Sequence, residues 1–368
     1  MSHKVSSCEV LVVGGGIIGA ACARAAALKG LRVTICEPGP DPAAASHASA
    51  GILGAQIESA DETLRALGLR GRELYAELAE ELLEDTGVNI GLWHEGIASL
   101  AFSEDDADRL RDAVAHQRQA GLRCDWLEGA DVAERFPGTA PCLGALFAPE
   151  DGAVNAPMLA RALRADARRR GVELLVGRVD RINTILGRAT GVETSKGKIR
   201  AEHVVIAAGA WSPRIEHLPR TLPVEPVRGQ MVALPWPPGV PRGIIYYDHG
   251  YVVEREGEAL LGSTMEHVGF DASVTDSGIE ELLANGTRLF PALAGAGPVR
   301  RWAGLRPMTP DGYPIVGADP EVRGLWYATG HGRNGVLLAI LTGQIISDLL
   351  TTGSTDVDIA SLDVTRFT

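Results

Sequence analysis

The stretch CEVLVVGGGIIGAACARAAALKGLRVTICEP, residues 8–38, decides the fold. A valine-rich run over 8–13 meets Gly14-Gly15-Gly16, an alanine-rich segment follows, and a second apolar run over 31–36 ends at Glu37. Strand, glycine turn, helix and strand in that order make a βαβ unit with parallel strands. Gly14, Gly16 and Gly19 satisfy G-x-G-x-x-G. The first glycine allows the tight turn, the second lets backbone amides approach a pyrophosphate, and the third lets helix pack on strand. Glu37 then stands where a carboxylate accepts hydrogen bonds from a ribose diol and repels a 2′-phosphate, which disfavours NADP.

Outward from this unit, the chain of 368 residues is longer than one hydrophobic core usually fills, so two domains are expected. Its 35 basic and 47 acidic residues give a formal charge of −12, which offers no basic field for nucleic acid or an anionic membrane. A small molecule is the expected partner. Five cysteines (Cys8, Cys22, Cys36, Cys124 and Cys142) form no CxxC pair, which suits buried thiols in a reducing compartment and gives no metal site. Glu9 directly before the first apolar run and Arg24 after it argue against a leader peptide, and the chain is read as cytoplasmic with no membrane span.

Two further strand ends carry small residues, VVIAAGAWS at 204–212 and LWYATGHGRNG at 325–335, and SHASAGILGAQIE at 46–58 would let chain run close against an extended cofactor. Their wide separation predicts a discontinuous nucleotide domain that closes over a long ligand with a C-terminal helix at 335–351. FAD has that length. The expected fold is α/β: a Rossmann-like FAD-binding domain of residues 1–80, 147–220 and 304–368, with an α+β substrate domain of 81–146 and 221–303 whose sheet is mainly antiparallel. In the latter, IIYYDHGYVVEREGEALLGSTME alternates around a Glu-Gly turn and predicts a hairpin, while WPPGVPRG at 236–243 predicts a loop.

The strings GGGIIG with Glu37, SAGILGAQIE, LAFSEDD, YYDHGYVV, GSTME, WAGLRPMTPDG and GHGRNGVLLA together resemble the glycine oxidase branch of the D-amino-acid oxidase family of flavoproteins, over nearly the whole chain. The resemblance implies noncovalent FAD, oxidation of a small amino acid's amine to an imine and, in some bacteria, supply of that imine to the thiazole part of thiamine. It also implies a homo-oligomer and molecular oxygen as electron acceptor.

A flavin can take hydride from the α-carbon of an amino acid without a strong protein base, so the protein's task is orientation. Orientation calls for an arginine fork on the substrate carboxylate. Arg306, among Trp302, Leu305 and Met308 in a stretch with no other charge between Trp302 and Pro310, is hard to place without a partner, and the family motif puts the carboxylate anchor there. Tyr251 and His249 alternate in YDHGYVV and share a strand face; Tyr251 is expected to donate to the carboxylate, and His249 to give the pocket polarity. Tyr246 and Tyr247 are weaker candidates. The loop His331-Gly332-Arg333-Asn334-Gly335, leading into a helix with Val336 and Leu337 in its first turn, is expected to offer amides and a positive dipole to the flavin's pyrimidine edge. The resemblance turns the Arg333 side chain toward the substrate.

Matched to the family residue by residue, Ile17, Ile18, Glu37, Pro38, Ala45, Ser46, Ala50, Gly51, Ile52 and Val179 are implied to line the FAD. Gly332 stands where the branch often has an aromatic residue, and Ile340 where it often has proline. A missing ring predicts a larger pocket that admits sarcosine, D-alanine or D-proline beside glycine. No cysteine occurs in 306–316, where related sarcosine oxidases attach their flavin, so dissociable FAD is expected. Two alternatives stay open: a D-amino-acid or proline dehydrogenase with a non-oxygen acceptor, and a non-catalytic flavoprotein sensor.

Overall fold

The strand Ser6–Val13 lies inside an eight-stranded sheet, hydrogen-bonded in parallel to Gly197–Ile206 on one side and Val33–Glu37 on the other. The computed structural model describes residues 6–39, 41, 43–58, 61–248 and 250–367. Glu173–Val176 continues the sheet beyond Val33–Glu37, and Leu325–Thr329 and Ile315–Ala318 extend the other side. The run 10–13 is apolar on both strand faces because both faces are covered. Val10 and Val12 pack with Cys22, Ala23, Ile345 and Ile346 beneath two helices, while Leu11 and Val13 pack with Val204 and Ile206 on the opposite side. The helix Ile17–Leu28 begins directly after the glycine turn.

A second eight-stranded sheet runs Arg300–Met308, Glu225–Pro235, Glu258–Gly262, Gly250–Arg255, Ile244–Tyr247, Ile97–Ala101, Gly144–Ala148, Asp125–Glu128. All its neighbouring pairs are antiparallel except Ile244–Tyr247 with Ile97–Ala101. Residues 250–255 and 258–262 form the anticipated hairpin around Glu256-Gly257, and 236–243 is a loop. The expected joints at 80, 147 and 304 fall inside Tyr75–Thr86, Gly144–Ala148 and Arg300–Met308, so the chain crosses those points in continuous elements.

The C-terminal helix is shorter at its start than its pattern predicts. It spans Ala339–Thr352, and residues 332–338 form tight turns instead. The Tyr75 hydroxyl donates to the Val336 carbonyl, which also accepts the amide of Ala339 in a three-residue turn.

Candidate active site

The glycine turn is fixed by close packing. Gly14 has φ +103°, a conformation that side chains other than glycine's rarely allow, and a Cβ on Gly19 would fall 2.0 Å from the Gly14 carbonyl oxygen. Helix therefore meets strand at a distance only hydrogen permits. The amide of Ile17 donates to Ser46 Oγ at 2.9 Å, tying the segment 45–48 across the helix N-terminus. Glu37 is buried at the end of its strand, its carboxylate so close under the turn that a Cβ on Gly15 would lie 2.3 Å from Oε2. Arg164, from the helix Ala156–Arg169, forms an ion pair with Glu37. Sequence reading missed Arg164, because its helix carries four arginines with no local mark to separate one from the rest.

A cavity of about 610 Å³ runs from this turn past Val179 to Gly332. Of the residues expected to hold the cofactor, Gly14, Gly16, Ile17, Ile18, Glu37, Pro38, Ala45, Ser46, Val179, His331, Gly332, Arg333, Gly335 and Val336 border it. Ala50, Gly51 and Ile52 instead border a second, smaller cavity, and Gly19, Asn334 and Leu337 border neither. Leu337 points into the core against Gly68, and the amide of Asn334 donates to the His331 carbonyl. The large cavity fits FAD: its volume is on the scale of ligand sites, its glycine turn leaves room for a pyrophosphate, and Glu37 stands at the ribose end. His331 lies buried with Nε2 3.0 Å from Thr342 Oγ1, and burial pulls its pKa down to about 3, so the ring is neutral.

The smaller cavity, about 80 Å³, shares Ala45, Ser49, Gly332 and Arg333 with the larger. Its floor is the strand pair 225–235 and 300–308, in which Val227 lies opposite Arg306 and Gly229 opposite Gly304. The Arg306 guanidinium lies flat over Gly229, where a Cβ would fall 2.2 Å from Nη1. Nη1 donates to the Thr264 carbonyl at 3.1 Å and Nη2 to Ser263 Oγ at 2.5 Å. Among the described residues no carboxylate forms an ion pair with Arg306. Burial pulls its pKa below the ordinary arginine value, yet an arginine remains charged. Tyr251 lies against Gly262 with its hydroxyl 3.2 Å from Met231 Sδ, and burial pushes that phenol up, so it keeps its proton.

Arg333 borders the same pocket but its guanidinium is engaged. Nη2 donates to Glu58 Oε1 at 2.8 Å, and the Tyr246 hydroxyl donates to the same oxygen at 2.7 Å. Glu58 holds the Arg333 pKa above the ordinary arginine range. Glu58, Ser263 and Gly229 were not singled out by sequence reading; Glu58 closes the quoted segment 46–58, and its burial after an apolar run is the one local signal it offers. His249 lies outside the described residues. Gly332 borders both cavities, and Met308 Sδ stands 2.9 Å from where a Cβ on it would begin.

A long nucleotide cavity abutting a small pocket whose Arg306 has, among the described residues, no carboxylate partner is the arrangement of a dinucleotide-dependent oxidoreductase. The chain belongs to the DAO family of FAD-dependent oxidoreductases, whose sequence profile matches residues 9–349. It is 38% identical to the glycine oxidase of Geobacillus kaustophilus (strain HTA426), covering 100% of this chain and 98% of that protein. The crystal structure of glycine oxidase from Geobacillus kaustophilus matches 98% of this chain and 99% of its own with TM-score 0.94. A bifunctional protein ThiO/ThiG of Trichormus variabilis is 36% identical, over 98% of this chain and 55% of its own length. The structure of iminodiacetate oxidase from Chelativorans sp. BNC1 matches with TM-score 0.90 at 27% identity, covering 96% of this chain and 98% of that one. Among the described residues no helix is long and apolar enough to cross a membrane.

Proposed function

We propose that this enzyme carries out FAD-dependent oxidative deamination of glycine and small amines or D-amino acids, including sarcosine, D-alanine and D-proline, giving an imine that hydrolyses to an oxoacid. The observation that carries the reading is Arg306: a cation in an 80 Å³ pocket beside the cofactor cavity, held among the described residues by neutral acceptors. Its fork takes the substrate carboxylate, and Tyr251, on the same pocket wall, donates its hydroxyl hydrogen to that carboxylate. FAD bound in the adjoining cavity would supply the two-electron oxidant for the carbon bearing the amine, with oxygen as the terminal acceptor reduced to hydrogen peroxide.

The remaining residues set geometry and protonation. Thr264 and Ser263 fix the guanidinium, so the substrate's α-carbon is presented in one orientation toward the cavity that Gly332 shares. The one carboxylate among the described lining residues of the small pocket, Glu58, is occupied by Arg333 and Tyr246. The substrate therefore arrives with its amine neutral, and kcat/KM rises with pH toward the amine's own pKa. Within this reading residues 1–80, 147–220 and 304–368 form the FAD-binding domain and 81–146 and 221–303 the substrate domain, with Arg306 and Glu58 reaching the substrate pocket from the former. Five free cysteines support a cytoplasmic location, and a homo-oligomer follows from the family resemblance. Similarity to a ThiO/ThiG protein supports a role in supplying the imine for the thiazole of thiamine.

The test is oxygen consumption with glycine and sarcosine, measured together with peroxide. Equimolar peroxide supports the proposal; substrate oxidation that needs an artificial acceptor and yields no peroxide overturns the oxidase assignment.

A further inference from the structure

Three charged side chains line the small pocket among the described residues: Arg306, Arg333 and Glu58. Glu58 forms an ion pair with Arg333 and accepts the Tyr246 hydroxyl, whereas Arg306 has neutral acceptors. The pocket thus holds one uncompensated positive charge, which one carboxylate neutralises. We infer that Glu58 is a specificity-determining residue that restricts the pocket to substrates with a single carboxylate, by occupying the arginine a second anionic arm would reach. This rests on Arg306 being the substrate-carboxylate anchor.

Glu58 is placed to do this without moving. Its side chain is 8% exposed, against 33% for Arg333, so the carboxylate lies inward and the arginine reaches the opening. The preceding backbone is bolted from behind: the buried Asp151 accepts the amides of Gln56 at 2.9 Å and Ile57 at 3.3 Å, and Arg72 Nη1 holds Asp151 at 2.6 Å. Tyr246 adds a second donor on Glu58, and its ring packs on Tyr251 at 5.5 Å between centroids. An N-carboxymethyl arm on the amine would bring its charge beside Glu58 in a partly desolvated pocket. Like charges there repel, and discrimination against the wrong ligand follows from that repulsion.

The test uses unreactive acids, so that it does not depend on turnover. Acetate and malonate are titrated into the FAD-loaded enzyme at neutral pH, and their Kd values are read from the perturbed flavin absorbance. The wild type binds acetate more tightly than malonate. In Glu58→Gln the ratio of the two Kd values shifts toward malonate by about tenfold or more, about 1.4 kcal/mol. Arg333→Met, which leaves Glu58 charged and unpaired, shifts it the opposite way and serves if the first variant does not fold. An unchanged ratio in either folded variant, or a wild type that prefers malonate, overturns the inference. Failure of both acids to compete with glycine would instead remove Arg306 as the anchor, which is a failure of the proposed function.

Discussion

Replacing Gly229 by alanine should disable the pocket while sparing the fold. The added Cβ would lie 2.2 Å from Arg306 Nη1, 2.3 Å from Nη2 and 2.4 Å from Cζ. Ordinary contact begins near 3.4 Å, so the whole guanidinium must withdraw by about 1 Å. The atoms in the way are the far end of a flexible side chain, and the backbone of Gly229 is not among those with positive φ, so the strand pairing survives. The guanidinium cannot withdraw and keep its bonds to Thr264 and Ser263. Hydrogen bonds to charged groups are worth about 1.5–3 kcal/mol, and a misplacement of about 1 Å at a reacting centre costs roughly 100-fold. Together these set an expected loss of about 2–4 kcal/mol in kcat/KM for glycine, roughly 30- to 1000-fold. The assay is steady-state peroxide release, with FAD content and thermal midpoint as controls. A variant within threefold of the wild type would refute the claim that Arg306 must lie flat over position 229.

Other outcomes follow from the same geometry. Tyr251→Phe removes the hydroxyl proposed to meet the substrate carboxylate and should raise KM by roughly tenfold or more, with an unchanged KM counting against that contact. Glu37→Gln should weaken FAD binding to the apoprotein by about 1.5–3 kcal/mol, measured by fluorescence titration; equal affinity would remove Glu37 from the ribose. His331, with a folded pKa of about 3 against 6.5 when free, takes up a proton only on unfolding. Its contribution is therefore present above pH 6.5 and lost on acidification, at about 1.4 kcal/mol per pH unit down to the folded value. His331→Gln should reduce the loss of unfolding free energy between about pH 7.5 and 5.5 by about 1.4 kcal/mol, and identical pH dependence would show that the ring does not stay neutral.

Local chemistry made the nucleotide half of the molecule readable. Gly14, Gly16 and Gly19 have spacings dictated by one turn and one helix contact, and the alternate packing of Val10 to Val13 on the two sides of the sheet follows from strand geometry alone. The hairpin around Glu256-Gly257 was equally local. What escaped sequence reading depends on register between distant strands and on contacts across the chain. Nothing near Gly229 tells that Val227 pairs with Arg306. Glu58 and Arg333 meet from positions 275 residues apart. The turn that precedes the last helix is met by Tyr75, whose hydroxyl reaches Val336 from 261 positions away.

The most direct test of the central claim is anaerobic addition of glycine, and in parallel sarcosine, to the FAD-loaded wild type and to Arg306→Ala, following the flavin's visible absorbance. The account predicts bleaching in the wild type, return of colour with peroxide when air is admitted, and bleaching in Arg306→Ala slowed by at least about 100-fold at equal FAD content. Wild-type flavin that keeps its colour with these and with D-alanine and D-proline, or an Arg306→Ala enzyme that bleaches as fast as the wild type, would contradict it.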